Sequence, residues 1–219
     1  MSNIYIYIHV CCINNWSDIF RKLISDLKES GLYQIVKSIK CNILTQNMDE
    51  LDECLTDPKI EIIGISNELH LHETPTINLL YEHSLKEDFK VLYIHTKGVT
   101  RYGCQNVTSW VKYLSYFNIY KHEICIDNLD TYDSVGVNLQ NNPVLHYSGN
   151  FWWSKSEHIK KLGECVYNRP CSPEFWLTET QIGNHVSLWE SKINHYIDIY
   201  NEDMYINKPI TLYLYNYNT

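Results

Sequence analysis

The sequence lacks the short motifs that assign several common classes of enzyme. It contains no GxxxxGK[ST] loop, no GxGxxG run and no GxSxG elbow, which argues against a P-loop protein, a typical dinucleotide-binding protein and a serine hydrolase. No apolar run approaches the ~20 residues of a membrane span, and no charged region with a cleavage site opens the chain. We therefore expect a cytoplasmic protein with neither a signal peptide nor a transmembrane segment.

The sequence is also short of positive charge and of paired cysteines. Its formal net charge of −8 argues against a nucleic-acid partner, because general nucleic-acid binders need a basic face. The eight cysteines include no CxxC pair, so we expect reduced thiols rather than structural disulfides. With 219 residues, 44% of them hydrophobic, the chain can bury a substantial core. The oligomeric state stays open.

Hydrophobic periodicity predicts strands that alternate with helices. Runs of β-branched and aromatic residues predict strands over 4–10, 39–44, 60–66, 90–95, 134–138 and 211–215. Helical spacing, caps and prolines predict helices after Asn15, from Thr74, over 107–126, from a capping box at Ser154, and from Ser172. We therefore predict one α/β domain over 1–219, with a mostly parallel central sheet flanked by helices.

Polar or turn-forming residues follow these strands, at the edge where open α/β sheets bind ligands. They are His9 to Cys11, Ser66-Asn67, His95 to Gly98, and Asn138. Lys97 could offer its ammonium group to a diphosphate, and Gly98 would let the backbone approach closely. The alternative is a lysine that simply leaves the sheet for solvent.

The stretch HYSGNFWWS (146–154) places a small polar turn beside two adjacent tryptophans. Neighbouring side chains of a strand point to opposite faces, so Trp152 and Trp153 cannot share one core. An aromatic wall beside amides and hydroxyls is typical of a sugar site. The alternative is a hairpin turn followed by core aromatics.

Three further groups are candidates for chemistry. Glu174 lies in the first turn of a predicted helix, where it is either a general base or a carboxylate that interacts with the helix dipole, and Glu179 is the second candidate base. His70 and His72 would share a face of an extended segment, a weak basis for a zinc site, and His195 is a weak lone metal ligand. Cys11 after His9 does not by itself make a nucleophile–base pair.

Several segments together resemble a known family, and they span residues 6 to about 176 in the expected order. They are IYIHVCCINNW, ETPTINLL, VLYIHTKGV, SWVKYL, VGVN, HYSGNFWWSKSEHIKKL and PEFW. The chain resembles the small A-type-fold glycosyltransferases encoded by large DNA viruses of algae and amoebae and by bacterial polysaccharide loci. A viral source would extend the expected location to the host cytoplasm or the virion.

The resemblance implies transfer of a sugar from a nucleotide-diphosphate sugar to a hydroxyl group of a glycan or glycoprotein, by a hexosyl- or deoxyhexosyltransferase. It implies a nucleotide-binding half over about 1–100 and a sugar and acceptor half over about 101–219. The expected nucleotide and diphosphate contacts are His9, Val10, Cys11, His95, Thr96, Lys97 and Gly98. The expected sugar and acceptor contacts are Asn138, His146, Ser148, Gly149, Asn150, Trp152 and Trp153.

One departure from the family concerns the metal. Enzymes of this fold usually hold Mn²⁺ or Mg²⁺ with an Asp-x-Asp motif after the fourth strand, where this chain has His95-Thr96-Lys97. Either fewer groups hold the metal, or Lys97 neutralises the leaving diphosphate directly. The alternative function is a non-catalytic module that binds a carbohydrate or a nucleotide sugar and has kept the fold.

Overall fold

The first strand lies inside the sheet because its side chains are apolar or aromatic on both faces. β1 (Asn3–Cys11) is buried continuously from Tyr5 to Val10. Continuous burial is typical of parallel strands that are covered on both faces. β1 pairs in parallel with β2 (Ser38–Leu44) on one side and with β4 (Phe89–His95) on the other.

The computed structural model describes residues 2–48, 51, 53–168 and 171–216. The other strands in these ranges are β3 (Ile60–Ser66), β5 (Ser134–Gly136), β6 (Leu139–Asn141), β7 (Leu145–Tyr147), β8 (Trp152–Lys155), β9 (Asn184–Ser187) and β10 (Tyr213–Asn216). The helices are α1 (Trp16–Glu29), α2 (Leu32–Ile35), α3 (Thr74–Ser84), α4 (Gln105–Ser115), α5 (His122–Asn128), α6 (Ser156–Ile159) and α7 (Ser172–Phe175). None of these helices has the length and apolar character that crossing a bilayer requires.

Eight strands form the central sheet in the order β10-β9-β5-β8-β4-β1-β2-β3, and β6 pairs with β7 beside it. β1 to β4 are parallel, and β5 and β9 run in the same direction. β8 is antiparallel to both of its neighbours, β4 and β5, and β10 is antiparallel to β9 at the edge. This arrangement confirms the predicted α/β fold with a mostly parallel sheet and flanking helices.

Two hydrophobic layers cover the two faces of the sheet. One contains Trp153 with side chains of α1 and α4, among them Phe20 and Leu114. The other contains Trp152 with side chains of α3 and α6, among them Ile77. The paired tryptophans of β8 therefore point to opposite faces, as strand geometry requires, and each is at most 1% exposed.

The predicted helix over 107–126 is interrupted. A π-helical turn (Tyr116–Tyr120) separates α4 from α5, and within it Asn118 is completely buried. The turn leaves the Asn118 carbonyl able to accept a hydrogen bond from Trp153 Nε1 at 2.8 Å. A tertiary contact with the sheet therefore satisfies a backbone group that a continuous helix would pair internally.

The predicted capping box at Ser154 is also wrong. Ser154 belongs to β8, and its hydroxyl donates to the Asp133 carbonyl at 2.8 Å, so α6 begins only at Ser156. Strand pairing outcompetes the local cap because β8 lies between two partners. The sequence analysis also did not predict β9 or the β6–β7 hairpin.

Candidate functional site

Thr96, which follows β4 and is 2% exposed, is hydrogen-bonded to the end of β1. Its hydroxyl oxygen accepts a hydrogen bond from the Cys11 amide at 3.0 Å, and its own amide donates to the His9 carbonyl at 3.0 Å. Thr96 thus fixes the backbone at the carboxyl edge of the sheet. Val10, which is completely buried, can reach a ligand only through this backbone and not through its side chain.

His9 is a packing residue rather than an exposed ligand contact. Its ring is 3% exposed, and Nδ1 lies 2.8 Å from the Thr76 hydroxyl of α3. The Asn42 amide donates to the same hydroxyl oxygen at 3.0 Å, so Thr76 links the ring of His9 to β2. Burial lowers the pKa of His9 to about 4, which keeps the ring neutral. The predicted nucleotide contact through this side chain is therefore corrected.

Gly149 brings together two predicted site residues that are distant in sequence. His95 Nε2 donates to the Gly149 carbonyl at 3.1 Å, and the Gly149 amide donates to Glu174 Oε1 at 3.0 Å. Gly149 has φ +99°, and a Cβ there would lie 2.7 Å from Leu114 Cδ1 and 3.2 Å from the Trp110 ring. Only glycine meets both the left-handed backbone and this close approach.

Lys97 lies over the ring of Trp110, the same ring that Gly149 approaches. Its Nζ is 3.8 Å from the centroid of the Trp110 ring, at cation–π distance. Burial lowers the pKa of Lys97, while the carboxylates of Glu174 and Glu73 act in the opposite direction. Desolvation of the ammonium group thus outweighs the attraction of its two acidic neighbours.

His95 has one ring nitrogen directed at a carboxylate. Because Nε2 donates to a carbonyl, the neutral ring has its lone pair on Nδ1, and Nδ1 lies 3.6 Å from Glu73 Oε1. Burial, followed by the charge of Lys97, lowers the pKa of His95 to about 3. His95 is therefore a neutral ring that holds the Gly149 carbonyl through Nε2, while its contact with Glu73 is not a hydrogen bond.

His195 closes the back of the site through buried contacts. Its ring stacks on Trp110 and Tyr113, with centroids 5.1 and 5.4 Å apart. Its Nε2 lies 3.0 Å from the Asn138 side-chain nitrogen and 2.8 Å from the Ser191 hydroxyl oxygen. Burial lowers its pKa to about 4. The side chain is 3% exposed, and no group of three or more His, Cys, Asp or Glu side chains in the described ranges could hold a metal, so the weak metal role predicted for His195 gains no support.

Asn138 is completely buried, so it supports the site from below rather than contacting a sugar. Its side-chain oxygen accepts hydrogen bonds from the Tyr113 hydroxyl at 3.0 Å and from the Ser191 amide at 2.8 Å. The predicted sugar contact is corrected to a structural one, because the buried side chain bonds to Tyr113, Ser191 and His195.

The two tryptophans of 146–154 are core residues. Trp152 stacks on Tyr93 with centroids 4.9 Å apart, and its Nε1 donates to the Asn150 side chain at 2.9 Å. Trp153 is 0% exposed. Because β8 is flanked by β4 and β5 and covered on both faces, neither ring can stack on a sugar. The alternative of a turn followed by core aromatics is the correct one.

The remaining predicted contacts of this segment are buried to different degrees. His146 is 7% exposed, with Nδ1 donating to the Val144 carbonyl at 2.8 Å and its ring edge-on to Phe175. Ser148 is 9% exposed and Asn150 is 2% exposed. Within this turn, Gly149 is the residue that packs against Trp110, and Lys97 lies over the same ring.

The sequence analysis missed four residues at the site, namely Glu73, Arg101, Trp110 and Tyr196. The Arg101 guanidinium lies 4.9 Å from the centroid of the Tyr196 ring, and that ring packs edge-on against Trp110 at 5.2 Å. Trp110 falls within the helix predicted over 107–126, where it was not a candidate for the site. No local pattern marks the other three, because tertiary packing brings them together. Glu179, the second candidate base, is exposed beyond α7.

The residues at the end of β4 do not fit a divalent metal. Within the described ranges, no group of three or more His, Cys, Asp or Glu side chains could hold one, which leaves the His70–His72 zinc hypothesis without support. Among the described residues near Lys97, His95, Glu73 and Glu174 offer donors, but Glu174 already accepts the Gly149 amide, and an adjacent ammonium group opposes a second cation. We therefore derive no step through a metal.

Buried neutral histidines predict a specific loss of stability in acid. The pKa values of His9, His95 and His195 lie at about 4, 3 and 4, below the ordinary value of 6.5, so the unfolded chain takes up these protons first. The stability linked to these neutral rings is therefore fully present above pH 6.5 and is lost as pH falls towards 4.

We expect the free energy of unfolding, measured by urea denaturation, to fall between pH 6.5 and 5. Paired carboxylates such as Glu87, with a pKa of about 2, add their own loss only below about pH 4.5. A flat profile between pH 6.5 and 5 would contradict the buried neutral state of these rings.

The fold of this chain is found in a solved structure. This chain is similar to a solved structure from Desulfovibrio desulfuricans G20 described as a "putative nucleotide-diphospho-sugar transferase". The match covers 87% of this chain and 81% of that chain, with a TM-score of 0.51 and 8% sequence identity. At this identity the likeness shows a shared fold and nothing further.

The family follows from the sequence itself. Residues 15–170 match the family described as Domain of unknown function (DUF8361). Because the match covers more than half of the 219 residues, the chain belongs to this family. A search of curated proteins gave no match.

Proposed function

We propose that this protein transfers a sugar from a nucleotide-diphosphate sugar to a hydroxyl group of an acceptor. The observation that carries the proposal is the meeting of Lys97, His95 and Glu174 around Gly149, at the carboxyl edge of the sheet. A cation for a diphosphate and a carboxylate for a hydroxyl proton thus lie in one place. The fold shared with the Desulfovibrio protein supports a nucleotide-sugar donor.

The chemistry assigned to these residues is an in-line displacement at the anomeric carbon. The bond from that carbon to the diphosphate oxygen breaks as a bond to the acceptor oxygen forms. Glu174 takes the acceptor proton, and Lys97 stabilises the negative charge on the departing nucleotide diphosphate. This assignment applies to inversion of the anomeric carbon, for which base and leaving group lie on opposite faces.

The donor would lie over the ends of β1 and β4. The backbone at Cys11 and Thr96 forms the floor there, and Gly98, with φ +101°, allows the chain to turn close to a diphosphate. Arg101 supplies a second cation beside Tyr196. The Gly149 peptide, between His95 and Glu174, would border the sugar.

The rival function is a binding module without turnover. It is favoured by one contact, because Glu174 already accepts the Gly149 amide and so serves a structural purpose as well. Binding and product formation separate the two functions.

We expect a nucleotide-diphosphate sugar to raise the melting temperature in a thermal-shift screen run with and without Mn²⁺, because a ligand stabilises the state that binds it. We also expect the stabilising donor to release free nucleotide in a mixture of saccharide acceptors. Stabilisation without nucleotide release would support the module, and the absence of both would contradict a nucleotide-sugar site.

A further inference from the structure

A cavity of about 700 Å³ opens beside the cations assigned to the diphosphate. Its walls come from α1, the loop after β4, α4 with the following π turn, and the segment near Tyr205. This volume lies within the range of roughly 300–1,000 Å³ that is typical of small-molecule sites. Lys97 and Arg101 line the cavity, whereas Glu174 does not, so it is separate from the part of the site that holds the proposed base.

The charged groups of the wall are unevenly matched. Each acidic side chain that lines the cavity has a cationic partner in the protein: Asp18 pairs with Arg21, Asp26 with Lys22, and Glu202 with Lys112. Lys97 and Arg101 instead lie over the rings of Trp110 and Tyr196, and among the described residues neither forms an ion pair. Burial and, to a smaller extent, the nearby charge of Arg101 lower the pKa of Lys97. An anion between the two cations would relieve this repulsion, so this corner of the cavity suits the negative end of a ligand.

Tyrosine rings line the rest of the cavity, beside aliphatic side chains of α1 and α4. The Tyr120 hydroxyl donates to Asp26 at 2.6 Å, and the Tyr116 hydroxyl accepts the Asn207 amide at 3.1 Å, so both rings are held in place. The side chain of Tyr102 is 72% exposed, so a ligand can cover it. Flat heteroaromatic groups stack on rings of this kind. The wall therefore favours a ligand with an aromatic body.

The ion pairs of the wall argue against a lipid tail as that body. An aliphatic chain would take the Lys22–Asp26 and Lys112–Glu202 pairs out of water without offering them hydrogen bonds, which is costly. A nucleoside has donors and acceptors on its base and on its ribose, together with an aromatic face. A ligand that combines an anion, an aromatic face and many hydrogen-bonding groups is a nucleoside phosphate.

We propose that this cavity binds the nucleoside of the donor, with the diphosphate at Lys97 and Arg101. The inference rests on the proposed function for the identity of the donor. Lys97 borders the cavity and also lies over Trp110, against which Gly149 packs. The sugar then extends from Lys97 towards Gly149, and the nucleoside extends away from it. The nucleotide site thus includes α4, which lies in the half of the chain that the resemblance assigned to the sugar and the acceptor.

The test compares nucleoside diphosphates with inorganic pyrophosphate, which has the same anionic group but no nucleoside. ADP, GDP, UDP, CDP, pyrophosphate and decyl phosphate are titrated by calorimetry at one salt concentration, without any sugar. We expect at least one nucleoside diphosphate to bind more tightly than pyrophosphate. Arg101→Met should weaken the binding of both by about 10- to 100-fold, the effect of one hydrogen bond to a charged group.

Two further variants remove the space or the contacts of the nucleoside alone. Val111→Trp on α4 fills the cavity, and Tyr102→Ser removes an exposed ring from its wall. Each should weaken the nucleoside diphosphate by about 5- to 100-fold, the range for the loss of one base–aromatic stack, and leave pyrophosphate unchanged. Leu85→Trp, 57% exposed just after α3, is the matched control and should bind both probes as the wild type does. If Val111→Trp fails to fold, Tyr102→Ser still decides the question.

Three results would overturn the proposal: no nucleoside diphosphate binds more tightly than pyrophosphate, the folded cavity variants both keep the wild-type affinity, or decyl phosphate binds where no nucleoside diphosphate does. None of them depends on turnover. A nucleoside diphosphate that binds through these residues without any sugar transfer would remove the proposed function and leave this site. Sugar transfer with unchanged nucleotide affinity in the cavity variants would do the reverse.

Discussion

Glu174→Gln is expected to lower sugar transfer by about 10²- to 10⁴-fold, the usual contribution of a general base. Glutamine keeps an oxygen that can accept the Gly149 amide, so the 3.0 Å contact and the turn should persist. What is lost is the ability to take a proton from the acceptor hydroxyl. The measurement is the initial rate of product formation with saturating donor, together with donor affinity by calorimetry, which should change little.

Glu179→Gln is the matched control for this experiment. Glu179 is the other candidate base, but it is exposed beyond α7, and we expect its variant to transfer at close to the wild-type rate. If Glu174→Gln stays folded and keeps both transfer and donor hydrolysis near wild type, Glu174 is not the base. A large loss in Glu179→Gln instead would move the role to that residue.

Lys97→Met is expected to weaken binding of a nucleoside diphosphate by about 10- to 100-fold. The range corresponds to the loss of a hydrogen bond to a charged group, roughly 1.5–3 kcal/mol. Methionine can still pack its side chain on Trp110, so most of the apolar contact is retained. Removing the ammonium group also leaves Glu73 and Glu174 to repel the incoming phosphates.

Lys86→Met is the control for lysine removal. Lys86 is exposed just after α3, and its variant should bind the nucleoside diphosphate as tightly as the wild-type protein. Calorimetry at fixed salt compares the three proteins, because electrostatic affinities depend on ionic strength. Unchanged affinity in Lys97→Met would remove this lysine from the site and with it the proposed replacement of a metal.

Much of the fold could be predicted because the strong strands carry their own signal. The β-branched and aromatic runs that became β1, β2, β3 and β4 are buried almost throughout in β1, β2 and β4, and local composition alone marks them. The short strand β9 has only four residues, too few for a period to emerge. The break after α4 depends on a hydrogen bond from Trp153, a contact that no local window contains.

Site residues could be predicted only where they follow a strand or form a turn, because the direction of the strands then determines the edge of the sheet at which they lie. His95, Lys97 and Gly149 were candidates because they lie at strand ends or in a turn, and the structure brings them together. The tryptophans of β8 were misjudged because burial on both faces depends on which strands flank β8. Trp110 and Tyr196 reach the site from distant segments, by packing that the sequence does not reveal.

The reversed direction of β8 has a consequence for how this family can diversify. Residues that precede β8 reach the same edge as residues that follow β1 and β4, because β8 runs against its neighbour β4. The turn at Gly149 therefore belongs to the segment before β8, whereas Lys97 belongs to the segment after β4. Evolution can remodel one of these stretches and keep the other. If the protein is the sugar transferase that we propose, recognition of the sugar can therefore change while the strand ends proposed to hold the diphosphate stay as they are.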